Sequence, residues 1–196
     1  MEEAYAKKVD TKETKKEEAK EVEVKKPKFV RLFDEDQLEI KQLSSEDVED
    51  CVKIMKKCSF DVTAEELVKI INYGMSVGCY VDRMLIGVGL GWPTSYDPER
   101  KMLVDAAPNA LYLEDPAVLL MYEGRGIRQI LVRERQNAAV ERKFRYAMAY
   151  LSEDMPHSSI EDYIKETGSQ LEKIYLAEGY EFIPTQKGVL ALKRLG

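Results

Sequence analysis

Two short stretches of the chain place chemistry-bearing groups at informative spacing. In "LLMYEGRGIRQIL" (119–131), Gly124 and Gly126 flank Arg125 where an apolar run meets a helical pattern. Such a turn either simply redirects the chain or exposes backbone N–H groups to an anion at a helix start. No Gly-Lys-Ser/Thr follows, which excludes a P-loop. A dinucleotide fingerprint would need GxGxxG after a first strand, whereas Arg128-Gln129 stand where its last glycine belongs. Just upstream, Glu114 and Asp115 precede Pro116. Strand alternation sends them to opposite faces, so one at most points into a common site as a proton acceptor. Glu114 is the preferred member, and a solvated pair at a strand irregularity is the competing reading. His157, the only histidine, follows "SEDMP" and reads as an exposed loop residue that could also take a proton. Three cysteines without CxxC spacing give neither a disulfide framework nor a metal site. Cys51 and Cys58, one heptad apart in a helical pattern, read as core thiols.

The elements that must position these groups follow from periodicity. "QLEIKQL" (37–43) alternates as a strand, and "SSEDVEDCVKIMKKCS" has helical spacing with Ser44 or Ser45 as N-cap. "TAEELVKIINYG" opens on a Thr63-x-x-Glu66 capping box and stops at Gly74. "VGCYVDRMLIGVGLGW" reads as a hairpin around Asp82-Arg83, and 93–109 as a long loop. "ALYLEDPAVLLMY" is a fourth strand carrying a bulge at Pro116, because proline cannot donate to a central ladder. A helix over 126–143, a fifth strand at 144–152, a helix broken near Gly168 and two final strands complete the pattern. The expectation is a mixed α/β (α+β) domain spanning 29–196, with about four helices on a mostly antiparallel sheet.

Residues 1–28 hold nine lysines and eight acids with few large apolar groups, which predicts a charged, disordered tail. With a whole-chain net charge of −6, the tail is +1 and the remainder −7. An acidic body argues against nucleic-acid binding, which needs clustered positive charge, and mildly favours a cationic partner. No apolar stretch is long enough to span a bilayer and the first residues lack a secretory signal, so a cytoplasmic protein is expected. Oligomeric state is not legible; a homodimer is compatible with the sequence.

With these pieces assembled, the sequence resembles the GCN5-related N-acetyltransferase superfamily. "MYEGRG" fills the place of that family's Arg/Gln-x-x-Gly-x-Gly/Ala turn, with Val118 ending the strand before it and Ile127 after it. "YLAEGYEF" matches its Tyr-x-x-x-Gly-Phe/Tyr element through Tyr175, Gly179 and Tyr180. The order of strands and helices from 37 to 195 agrees as well. The resemblance implies a sheet whose fourth and fifth strands splay apart, and transfer of an acetyl group from acetyl-CoA to a primary amine. It implies a pyrophosphate cradle at Glu123, Gly124, Arg125, Gly126, Ile127 and Arg128, with Arg125 or Arg128 adding charge. Pantetheine would lie along Val118, Leu119 and Leu120, with the Leu119 N–H polarising the thioester carbonyl, and Tyr175 would protonate the leaving thiolate. Glu114, Asp115, His157 or water would serve as base. Trp92, Tyr96 and Tyr112 could wall the acceptor pocket or simply pack. The acceptor, a small molecule or a protein amine, is not legible. The alternative is a non-catalytic module that keeps the fold and binds CoA or partners.

Overall fold

In a computed structural model of the chain, residues 38–151, 156 and 158–196 are described. The 1–28 segment and His157, both singled out from the sequence, lie outside the described residues.

Strand β1 (Leu38–Gln42) leads through a turn capped by Ser44 into α1 (Val48–Lys57). Helix α2 (Ala64–Ile71) begins on the Thr63–Glu66 capping box, with Thr63 Oγ1 and Glu66 exchanging bonds at both ends. Strands β2 (Val77–Val81) and β3 (Met84–Gly89) form the expected hairpin. Asp82 and Arg83 both have positive φ, the backbone a two-residue turn of right-handed twist requires. After Leu90 the chain continues as β4 (Gly91–Thr94) and a small ribbon, β5 (Tyr96–Asp97) with β6 (Met102–Leu103). The stretch 93–109, expected as a loop, thus contains paired backbone. Pro93 is accommodated because β4 is the edge of its sheet.

Strands β7 (Ala110–Leu113) and β8 (Ala117–Val118) are separated by Glu114–Pro116. Helix α3 (Ile127–Glu141), β9 (Tyr146–Tyr150), α4 (Ile160–Thr167), α5 (Gln170–Ala177), β10 (Glu181–Thr185) and β11 (Gly188–Arg194) follow. There are five α-helices where about four were expected, because the long helical pattern divides at Gly168. A Cβ there would fall 2.6 Å from the Ile164 carbonyl oxygen, and Ser169 with Glu172 caps a fresh helix.

Two sheets share one hairpin. The first runs β1-β2-β3-β8 and the second β10-β11-β9-β7-β4. All pairs are antiparallel except β7 with β9, which run parallel from Ala110↔Tyr146 to Tyr112↔Met148. Pro116 therefore marks something larger than the expected bulge in one strand. Chain 110–118 crosses from the second sheet to the first there, as 84–94 does at Leu90. Beyond Tyr112 and Met148 the ladder stops, because β8 has turned to pair with Gly87 and Val88 of β3. The result is the splay between the fourth and fifth strands expected above.

Apolar stripes cover both sheets. Leu67, Ile71, Cys51 and Met55 of α1 and α2 pack on Val88 and Leu90, and α3 covers the opposite side of the first sheet through Ile127 and Leu131. On the second sheet, Ile164, Ile174 and Tyr175 pack on Leu111, Ala147 and Ala191. The other face holds Tyr96, Tyr146, Met148 and Leu190.

Candidate active site

The splay opens beside the start of α3. Gly126, with φ of 77°, is the N-cap residue of that helix, and Gly124 has φ of 75°. Both lie in the left-handed region that favours glycine, and a Cβ at either would meet nothing within 4 Å. The glycines thus serve the backbone bend and leave open space before the helix. The first intrahelical bond runs from Ile130 N–H to the Gly126 carbonyl, and no side chain caps the helix. The amides of Ile127, Arg128 and Gln129 consequently have no intrahelical acceptor, and an anion here would also gain from the helix dipole.

Arg128 does not face that space as a free cation. Its Nε bonds both Glu123 carboxylate oxygens at 3.0 and 3.1 Å, and its Nη1 donates to the Pro116 carbonyl at 2.7 Å. This corrects the expectation that Arg128 adds charge to phosphates: with Glu123 it braces the glycine turn against the strand crossing. The bidentate bonds to Glu123 raise the guanidinium pKa. The Arg125 guanidinium lies 5.7 Å from the Tyr122 ring centroid.

Leu119 requires a second correction. Its N–H donates to Ile86 O at 3.0 Å, so it serves the β3 ladder and cannot polarise a carbonyl. In an antiparallel ladder bonding alternates, so the Val118 N–H turns away from β3, into the splay. The Val118 carbonyl accepts from Cys58 Sγ at 3.3 Å. Leu120 opens a 3-10 turn and is almost fully exposed.

Tyr175 projects from α5 against the Tyr180 ring, edge-on at 4.8 Å. Its side chain is wholly buried and its hydroxyl has no hydrogen-bond partner. Burial pushes the phenol far above its ordinary range, opposed by the Arg135 guanidinium. Arg135 is itself fully buried and had no place in the sequence expectation. Its Nε donates to Leu131 O at 2.9 Å, and its Nη1 to the carbonyls of Leu90 and Glu114, the points where the two strands change sheets. Its Nη2, like the Tyr175 hydroxyl, is without a partner. Gly89 makes room, since a Cβ there would fall 2.9 Å from Arg135 Nε. The sequence did contain a signal, a charge at position i+8 of the buried Ile127–Leu131 stripe.

Glu114 and Asp115 flank the crossing, and burial raises both carboxyl pKa values. Alternation places Glu114 on the same face as Tyr112, and burial pushes the Tyr112 phenol up to about 12. Trp92 stacks on Tyr112 at 4.7 Å, and Tyr112 lies 6.5 Å from Tyr150. Tyr96 instead packs on Tyr146 within the core. Among the described residues, no cluster of His, Cys, Asp or Glu could hold a metal ion, and no helix is long and apolar enough to cross a membrane.

By sequence, no family profile and no curated protein matches the chain. Solved structures match by shape. An acetyltransferase of the GNAT family from Listeria monocytogenes is 16% identical, with a TM-score of 0.60 over 81% of this chain and 95% of that one. The PaiA N-acetyltransferase from Thermoplasma acidophilum in complex with coenzyme A is 15% identical, with a TM-score of 0.55 over 81% and 99%. A GNAT-like decarboxylase, GphF, in complex with isobutyryl-CoA is 14% identical, with a TM-score of 0.60 over 81% and 100%. The chain has the fold of the GCN5-related N-acetyltransferases.

Proposed function

We propose that this protein is an acyl-CoA-dependent acyltransferase that moves an acetyl group from acetyl-CoA to a primary amine. The observation that carries the reading is the splay between β8 and β9, whose outward Val118 N–H and adjoining uncapped α3 start suit an extended thioester ending in a pyrophosphate. Structural neighbours described as N-acetyltransferases, one in complex with coenzyme A, support it.

In this reading the amides of Ile127, Arg128 and Gln129 receive the pyrophosphate, with Arg125 beside them, while Val118 and Leu120 border the pantetheine arm. The Val118 N–H hydrogen-bonds the thioester oxygen and stabilises the charge that develops there. Glu114 accepts a proton from the incoming ammonium, and burial, which raises its carboxyl pKa, makes it a better proton acceptor than a solvated carboxylate. The free amine attacks the carbonyl carbon, the C–S bond breaks, the Tyr175 hydroxyl protonates the departing thiolate, and the surplus proton on the new amide nitrogen restores the phenol. Burial keeps Tyr175 protonated until that moment, and its unpartnered hydroxyl leaves the proton available to sulfur.

A second reading, a non-catalytic CoA-binding module, draws support from the complete burial of Tyr175. Acetyl-CoA turnover over an amine panel, with native protein and Tyr175→Phe, separates the two. Amide product formed by the native protein and lost in the variant supports the enzyme. Coenzyme A binding without product on any amine supports the module.

A further inference from the structure

A cavity of about 590 Å³ lies between the turn of the β5–β6 ribbon and the turn joining β10 to β11. Arg100 and Lys101 reach it from the first turn and Lys187 from the second, while Met102, Leu103 and Tyr150 supply its apolar walls. No carboxylate lines it. Both turns are held by their own hydrogen bonds. Asp97 Oδ1 accepts from the amides of Glu99 and Arg100 at 2.9 and 3.1 Å, and Thr185 Oγ1 accepts from Lys187 N–H at 3.1 Å. Arg100 has only a loose ion pair, 3.7 Å to Asp97. Lys101 and Lys187 have no ion-pair partner among the described residues. Three cationic residues and no carboxylate line one concave, partly apolar space, a charge balance that favours an anion there. In a chain of net charge −6 this local concentration runs against the overall balance.

The cavity connects with the reacting region. Tyr150 is at once a wall of the cavity and the last residue of β9. Its ring lies 6.5 Å from that of Tyr112, and Tyr112 shares a sheet face with Glu114. An acceptor whose amine sits at Glu114 can run along Tyr112 and Tyr150 and present its far end to Arg100, Lys101 and Lys187. We infer that the acceptor is an amine that also carries a carboxylate, and that this cavity binds the carboxylate. The inference rests on the acyltransferase reading. A small amino acid and an acidic peptide share this chemistry, and the test tells them apart.

The test compares matched acceptors, ε-aminocaproate against hexylamine and the C-terminally amidated peptide Ala-Glu-Glu against amidated Ala-Gln-Gln, by kcat/KM with acetyl-CoA. Native protein and the double variant Lys101→Glu/Lys187→Glu are assayed in parallel, with coenzyme A titrated calorimetrically into each. Both substitutions lie on exposed turns, and circular dichroism checks the fold. The native protein should prefer the carboxylate-bearing member of at least one pair by about tenfold to a hundredfold, as a charge-assisted contact provides. The double variant should lose or invert that ratio. Preference confined to ε-aminocaproate identifies a small acceptor, and preference confined to Ala-Glu-Glu a peptide. Coenzyme A binding with no preference in either pair, or a preference that survives charge reversal, overturns the inference and leaves the acyltransferase reading standing. No heat with coenzyme A overturns that reading and the inference with it.

Discussion

Replacing Arg135 by methionine tests what holds the splay open. The native guanidinium donates to the Leu90 and Glu114 carbonyls on two strands and to Leu131 within its own helix. After substitution the Leu90 carbonyl keeps one partner, the Glu114 N–H at 3.1 Å, but loses a charge-assisted bond worth about 1.5–3 kcal/mol. The Glu114 carbonyl loses the guanidinium bond that satisfies it, at a cost of about 1–3 kcal/mol. Against these stands relief from burying a charge, which amounts to several kcal/mol per ion before compensation; burial already pulls the Arg135 pKa below its ordinary range. Methionine has nearly the right length and fills the space, so the cavity penalty is small. The balance comes to about 2 kcal/mol of lost stability, or roughly 1 M in the urea midpoint for a domain of this size. Coenzyme A affinity should fall as well, since the freed strands can close on each other. Urea denaturation followed by circular dichroism, with calorimetry on the folded variant, measures both. An unchanged or raised midpoint together with native coenzyme A affinity would refute the idea that Arg135 pins the crossing.

Three further outcomes follow from the same geometry. Tyr175→Phe should lower kcat by about 10²–10⁴ and leave the protein equally stable or up to about 1 kcal/mol more so, since the buried hydroxyl has no partner to lose; a destabilised, fully active variant would contradict its role as acid. Because burial raises the Glu114 pKa, kcat/KM should fall on acidification through an apparent pKa above the ordinary carboxylate range, where the protonated base no longer accepts a proton. That limb should vanish in a slow Glu114→Gln variant, and its persistence there would assign the base elsewhere. Burial pushes Cys51 and Cys79 up to about 12, so among the cysteines only half-buried Cys58 should react with iodoacetamide in the native protein. Acetyl-CoA should protect it, because its thiol bonds the Val118 carbonyl beside the splay; mass spectrometry of the labelled peptides decides both points.

Features governed by local chemistry were legible in the sequence. The Thr63–Glu66 box, the Asp82–Arg83 turn, the division at Gly168 and the bend at Gly124 and Gly126 each depend on a few adjacent residues, and each stands where spacing placed it. What escaped depends on partners distant in sequence. Pro116 announced an interruption, but only the pairing of β8 with β3 turns that interruption into a strand that changes sheets. Arg128 looked available because nothing in its own segment shows that Glu123 and the Pro116 carbonyl converge on it. Leu119 looked like the outward residue because the phase of the ladder is set by Ile86, more than thirty positions away. Arg135 was visible as a charge on an apolar stripe, yet its meaning required the two carbonyls it joins. The general architecture was thus readable, whereas the identity of the N–H that faces the splay, Val118 rather than its neighbour, was not.

The central claim is that the start of α3 receives the pyrophosphate of an acyl-CoA. Calorimetric titration of acetyl-CoA into the native protein, Gly126→Ala and Gly126→Asp tests it most directly. At φ of 77° either side chain carries about 1 kcal/mol of backbone strain, so the alanine variant controls for strain and the aspartate adds a carboxylate where phosphate would sit. The account predicts micromolar binding by the native protein, weakening by no more than about tenfold in Gly126→Ala, and loss of at least a hundredfold in Gly126→Asp with the fold intact. Native binding that survives the aspartate, or no binding by the native protein at all, would contradict it.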